Sequence, residues 1–121
     1  MNFSYDSLVN MKLASSPKER RKRAGEWLKK LREKAGLTQI ELADRLGFKY
    51  YAFVSQVERG YGRVPMDKIG AWARAVGSEP QPFAQRLISY YEPELHRVLY
   101  EPPRERRSSA ATEPRNVTAA E

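Results

Sequence analysis

The chain has 121 residues, a formal net charge of +7 and a pI near 9.8. That length fits one domain with a core of modest size, and the positive balance favours a polyanionic partner. The absence of Cys excludes disulfides and Cys-based zinc sites and suits a reducing cytosol. No apolar run approaches a membrane span, and the start of the chain lacks the basic-then-apolar order of a signal peptide.

Residues 1–15 form a mixed lead. Its Phe3, Tyr5, Leu8, Val9, Met11 and Leu13 suit either a frayed terminus or a small packing or partner-binding arm. Ser16, Pro17 and Glu19 then spell a helix start: a Ser N-cap, Pro at the first position, Glu at the third. The helix is expected to run to Ala35, with Gly36 stopping it. Trp27, Leu28, Leu31 and Ala35 mark its apolar face at helical spacing. Between Pro17 and Lys34 stand nine Lys or Arg and three Glu, so most of the excess charge sits on this helix. Arg20, Arg21, Lys22 and Arg23 are candidates for phosphate contact. The alternative is a solvated helix face, or a membrane-surface helix, which the short apolar face disfavours.

The stretch from Gly36 to Gly60 predicts a short helix, a tight turn and a second helix. Thr38 is a good N-cap and Glu41 follows at the spacing of a capping box. Ile40, Leu42, Ala43 and Leu46 supply the apolar positions. Gly47 ends this helix, because Gly takes a left-handed backbone without steric cost. The next helix is anchored by Val54 and Val57. At 100° per residue, Tyr50 joins them on one side, while Ala52, Ser55, Gln56 and Arg59 occupy the other, flanked by Tyr51 and Phe53. The start of this helix is open among Lys49, Tyr50 and Tyr51, none a preferred N-cap. The packing side favours a core position for Tyr50.

Residues 60–65 read as a loop whose two Gly permit close backbone approach to a partner; Arg63 is a candidate phosphate or minor-groove contact. A helix follows over 66–76, with Ile69, Trp72, Ala73 and Val76 as its core stripe and Trp72 directed at Trp27 or Leu31. Gly77 ends it. Ser78 or Glu79 opens the next helix, with Pro80 and Pro82 in its first turn and Phe83, Leu87, Ile88 and Tyr91 as its apolar side. Pro93 breaks or restarts the helix, and Leu95, Val98 and Leu99 continue the apolar pattern. The surplus of apolar residues predicts a homodimer surface made by Leu87, Tyr91, Leu95, Val98 and Leu99, the alternative being packing back on the same domain. Residues 102–121 are rich in Pro, Arg, Ser, Ala and Glu and are expected to be disordered. Their Arg104, Arg106 and Arg107 are candidates for weak nonspecific DNA affinity.

The set Leu37-Thr38-Gln39, Glu41-Leu42-Ala43, Leu46-Gly47 and Glu58-Arg59-Gly60 resembles the Cro/cI-like (XRE-type) helix-turn-helix family of DNA-binding regulators. The resemblance covers roughly 27–83. It departs at one point: ten residues, 48–57, separate Gly47 from Glu58, where the family usually has nine. The turn is therefore read as enlarged. The resemblance implies an all-α fold: a five-helix lambda-repressor-like helix-turn-helix domain, here with a C-terminal helical extension and a disordered tail. The corresponding division is a lead at 1–15, a DNA-binding domain at 16–91, an extension at 92–101 and a tail at 102–121.

For the site, the resemblance places Tyr51, Ala52, Ser55 and Gln56 at base edges in the major groove. It gives Gln39 a role on the DNA backbone, where a helix N-terminus also favours phosphate. The chemistry of the side chains agrees. Gln bonds adenine N6 and N7 as a bidentate pair, Ser serves several base edges, and Ala52 and the aromatic flanks suit a thymine methyl. Arg59 and Lys49 are better placed for phosphate, though either could reach guanine. Glu58 is expected in a structural bond or ion pair rather than facing phosphate. The expected partners are duplex DNA, a second copy of the chain, and a protein such as a toxin or RNA polymerase, with no membrane role and a cytoplasmic, nucleoid-associated location. An antitoxin-type or adaptor protein is the alternative function.

No enzyme, cofactor or metal is expected. His96 is the only His, and no Gly-rich phosphate loop, metal-ligand cluster or nucleophile elbow appears.

Overall fold

The computed structural model describes residues 16–103. The expected lead at 1–15 and the tail from residue 104 onward, with Arg104, Arg106 and Arg107, lie outside the described residues.

Within them the chain is all-helical. Helix α1 (Pro17–Lys34) opens with the expected capping box: the Glu19 amide donates to Ser16 Oγ at 3.1 Å, and the Ser16 amide donates to Glu19 Oε1 at 3.4 Å. Helix α2 (Gln39–Leu46) opens with a second one, in which the Glu41 amide donates to Thr38 Oγ1 at 3.0 Å and the Thr38 amide to Glu41 Oε1 at 2.8 Å. Each box satisfies amides that a helix start leaves without partners. Helix α2 stops at Gly47, whose φ of +75° lets the Phe48 amide turn back and donate to the Ala43 carbonyl at 2.9 Å. Lys68 adds a second cap, its Nζ donating to the Leu46 carbonyl at 2.9 Å.

Helix α3 (Ala52–Glu58) follows a connection of five residues, the Gly47 cap and then Phe48, Lys49, Tyr50 and Tyr51. Tyr51 is its N-cap and makes no side-chain cap bond, in line with the poor capping chemistry of that stretch. The segment expected as one helix over 66–76 divides. Met66–Lys68 is a 3₁₀ turn, and α4 (Ile69–Ala75) begins only after it. Helix α5 (Pro80–Tyr91) starts with Glu79 as N-cap and Pro80 in its first turn. Glu92, at φ −138° and ψ 72°, leaves helical geometry just before Pro93, as residues preceding Pro favour. Helix α6 (Pro93–Tyr100) then restarts.

One core serves these helices. Trp72, Leu28, Leu42, Leu87, Val54 and Val64 are its largest fully buried side chains. Helix α5 packs on α1, α4 and α6, while α3 packs on α1 and α2. Trp27 stacks on Phe83, with centroids 5.2 Å apart, and on Tyr90 at 5.9 Å. Trp72 meets the edge of Phe48 at 6.2 Å, so its ring partner is this residue of the turn rather than Trp27.

Four sequence expectations about the core need correction. Ile40 is 64% exposed, because the inner side of α2 is filled by Leu42, Ala43 and Leu46. Tyr50 is 58% exposed: α3 begins two residues after it, so the helical wheel does not extend back to its side chain. Leu87 and Tyr91, expected on a dimer surface, instead face the chain's own core. Leu87 is fully buried, and the buried Tyr91 hydroxyl accepts a hydrogen bond from the Val64 amide at 3.1 Å. Of the five expected surface residues, only Leu95, Val98 and Leu99 on α6 are exposed.

Candidate nucleic-acid interface

The position of α3 is set by two glycines and one ion pair. A Cβ built on Gly25 of α1 would stand 2.1 Å from the Glu58 carbonyl oxygen. One built on Gly60, at φ +83°, would stand 2.7 Å from the Lys22 Cα. Only hydrogen fits at either place, so α1 crosses the C-terminal end of α3 at backbone contact. The close approach expected at Gly60 is thus made by the chain's own first helix. Arg21 reinforces the crossing, its Nε donating to the Gly60 carbonyl at 3.3 Å.

Beneath this crossing, Arg32 and Glu58 form a buried, two-pronged pair. Arg32 Nε donates to Glu58 Oε2 at 2.7 Å and Arg32 Nη2 to Oε1 at 3.1 Å. Arg32 Nη1 also donates to the Leu37 carbonyl at 2.8 Å, and Gln39 Nε2 donates to Glu58 Oε1 at 3.0 Å. One carboxylate therefore ties α1, the entry to α2 and the end of α3 together. Donating to the Glu58 carboxylate raises the Arg32 pKa above its usual value, so the guanidinium stays charged. Glu58 is held in an ion pair, as expected from sequence.

With Val54 and Val57 buried, α3 turns the rest of its surface outward. Tyr51, Ala52, Gln56 and Arg59 are exposed and Ser55 is half-buried. These residues share one accessible side. The helix carries no basic residue, and its one charged residue, Glu58, is buried and paired. Cations stand at its ends instead. Lys49 Nζ lies 5.5 Å from the Tyr50 ring centre, and Arg59 Cζ lies 4.9 Å from that of Tyr61. The arrangement is a neutral, hydrogen-bonding and aromatic face between two positive ends. Such a surface suits base edges in the middle and phosphates outside.

The remaining candidates are spread out. Gln39 is half-buried with its amide on Glu58. Arg20 is half-buried, with its Nε donating to the Tyr90 carbonyl at 3.1 Å. Arg21 is half-buried against Gly60. These two arginines have structural work at helix contacts, whereas Lys22 and Arg23 are exposed. Arg63 is exposed but engaged: it pairs with Glu92 at 3.0 Å and lies 4.6 Å from the Tyr91 ring centre. Among the described residues, no group of three or more His, Cys, Asp or Glu side chains could hold a metal ion. None of the described helices is long and apolar enough to cross a membrane.

Sequence reasoning missed Arg32, Gly25 and Lys68. A signal existed for the first. Ala24, Leu28 and Arg32 are spaced i, i+4 and i+8, so Arg32 continues a row of buried positions.

A comparison of the chain with curated proteins finds no match. A family model described as Helix-turn-helix matches residues 28–83, from α1 through the start of α5. That span contains α2, α3 and the Arg32–Glu58 pair. Residues 28–83 therefore belong to the Cro/cI-like (XRE-type) helix-turn-helix family, whose domains bind DNA.

Proposed function

We propose that the chain is a sequence-specific transcriptional regulator that reads duplex DNA in the major groove with α3 and does so as a homodimer. The observation that carries this reading is the outward side of α3. It holds Tyr51, Ala52 and Gln56 exposed and Ser55 half-buried, with no charged side chain among them. Gln56 offers a bidentate pair to adenine, and Ser55 serves several bases. Lys49 and Arg59 supply phosphate contacts at the two ends, with Arg63, Gln39, Arg20 and Arg21 contributing further along the surface.

The homodimer is assigned to α6. Its Leu95, Val98 and Leu99 are spaced i, i+3 and i+4 and are exposed. A two-fold pair of such helices implies an inverted-repeat operator with half-sites about 34 Å apart, or a multiple of a helical turn. The same α6 stripe also suits a different protein, which is the antitoxin-type or adaptor reading.

Selection from a pool of random duplexes at near-physiological salt, followed by sequencing, tests the proposal. An enriched inverted repeat supports the dimeric reader. A single enriched half-site keeps the reader and removes the symmetric dimer. No enrichment, with binding that merely fades as salt rises, removes sequence-specific reading. Sedimentation of the purified chain and of its Leu99→Glu variant separates the two uses of α6. A dimer that Leu99→Glu dissociates supports the homodimer; a wild-type monomer points to a foreign partner.

A further inference from the structure

The aromatic side chains around α3 exceed what hydrogen-bonded base reading requires. Phe53 stands on the outer surface of this seven-residue helix at 52% exposure, and its ring partner, Phe48 at 5.5 Å, belongs to the preceding turn. Phe53 and Gln56 are three positions apart, which makes them neighbours along the helix surface. They also share a recess of about 180 Å³, whose walls include Phe48, Phe53, Val57 and Pro65, with Gln56 and Arg63 as polar members. An apolar wall thus adjoins a side chain with the amide chemistry that recognises adenine.

The floor of the major groove presents donors, acceptors and one apolar group, the C5-methyl of thymine. A phenyl ring exposed beside Gln56 has that methyl as its apolar counterpart in the groove. We propose that Phe53 is a specificity-determining residue that takes the C5-methyl of a thymine against its ring and the adjoining recess, while Gln56 bonds an adenine in the same or the next base pair. This rests on the major-groove reading of α3 given above. It adds that the half-site contains a thymine recognised by its methyl group rather than by its hydrogen-bonding edge.

Uracil substitution isolates that group, because uracil keeps every donor and acceptor of thymine and lacks only the methyl. The test uses the full chain and the duplex enriched by selection, with each thymine of the half-site replaced by uracil in turn. At one thymine the replacement weakens binding about four-fold, the effect of removing one methyl from an apolar contact. In Phe53→Ala that loss disappears, while the adenine preference governed by Gln56 persists. Phe53→Leu retains the discrimination, and melting curves confirm that both variants are folded. An enriched half-site without thymine, or indifference to uracil at every thymine, overturns the proposal and leaves the DNA reader standing. So does discrimination that survives intact in Phe53→Ala. Failure to enrich any sequence overturns the DNA-reading function and this inference with it.

Discussion

Arg32 and Glu58, on α1 and at the end of α3, form a buried ion pair closed by two hydrogen bonds of 2.7 and 3.1 Å. The pair fixes where α3 ends and how it leans on α1. Removing one partner leaves the other charged and buried. Glu58→Ala is therefore expected to cost about 3–5 kcal/mol, whereas replacing both residues by apolar side chains of similar volume costs far less. Urea unfolding of the two single variants and the double variant measures this directly. A strongly non-additive cycle is expected, with the double variant more stable than Glu58→Ala.

Gly25 makes a second, independent prediction about the same crossing. An added Cβ would lie 2.1 Å from the Glu58 carbonyl oxygen, and neither backbone has a flexible end that can yield. Gly25→Ala must push α1 and α3 apart. Overpacking of this kind costs about 1–3 kcal/mol or more, which for a small domain is a fall of roughly 4–8 °C in Tm per kcal/mol. Glu26→Ala, at the exposed neighbouring position, serves as the control and should melt near the wild type. DNA affinity should fall in Gly25→Ala even where the far-ultraviolet dichroism is retained, because the displaced element is α3.

The local parts of this fold were legible because their causes are local. Ser16–Glu19 and Thr38–Glu41 close capping boxes within four residues. Gly47 and Pro93 end or restart helices through their own backbone chemistry. Most of the misreadings involve partners distant in sequence. Arg32 stands in a run of cations, and only Glu58, 26 positions on, makes it a core residue. Ile40 and Leu42 are both apolar residues of one short helix, and the packing of α2 alone decides that Ile40 faces out. Tyr50 followed the core side of a helical wheel that in fact starts at Ala52. Leu87 and Tyr91 fit the apolar side of α5, but periodicity does not distinguish the chain's own core from a partner. At the candidate interface, the wheel did separate Val54 and Val57 from Ala52 and Gln56. It did not reveal that Arg20 and Arg21 bond carbonyls at helix contacts.

Arg63 and Glu92 link the loop after α3 to the junction of α5 and α6. Their side chains are substantially exposed, so the pair contributes at most about 1 kcal/mol to stability. If Arg63 contacts phosphate, Glu92 competes for it. Glu92→Gln is then expected to tighten DNA binding up to about five-fold at low salt, the equivalent of that 1 kcal/mol. Arg63→Met should reduce the slope of log K against log salt by about 0.9, one phosphate contact. In the Arg63→Met background, Glu92→Gln should have little further effect. Fluorescence titrations of a labelled duplex over a series of salt concentrations measure all four proteins. An equal gain from Glu92→Gln in both backgrounds would show that Glu92 acts by general repulsion rather than through Arg63.

Tyr91 gives a prediction in pH. Burial raises its pKa above the ordinary value near 10, against smaller opposing effects from the hydrogen bond with the Val64 amide and the nearby Arg63 charge. The folded chain thus holds this proton more tightly than the unfolded chain does. Its contribution to stability is complete below the unfolded pKa and is lost as pH rises through the folded one. Tyr91→Phe removes the acceptor of the Val64 amide, so at pH 8 it should cost about 1–3 kcal/mol, the penalty of an unsatisfied buried donor. Above about pH 10 the wild type loses stability through Tyr91 and the variant does not. The difference between them should therefore shrink as pH rises past 10. Urea unfolding at pH 8 and at several values above 10 tests the sign. A difference that stays constant over that range would mean that Tyr91 keeps the same proton affinity folded and unfolded, and that its role is confined to the hydrogen bond and its packing.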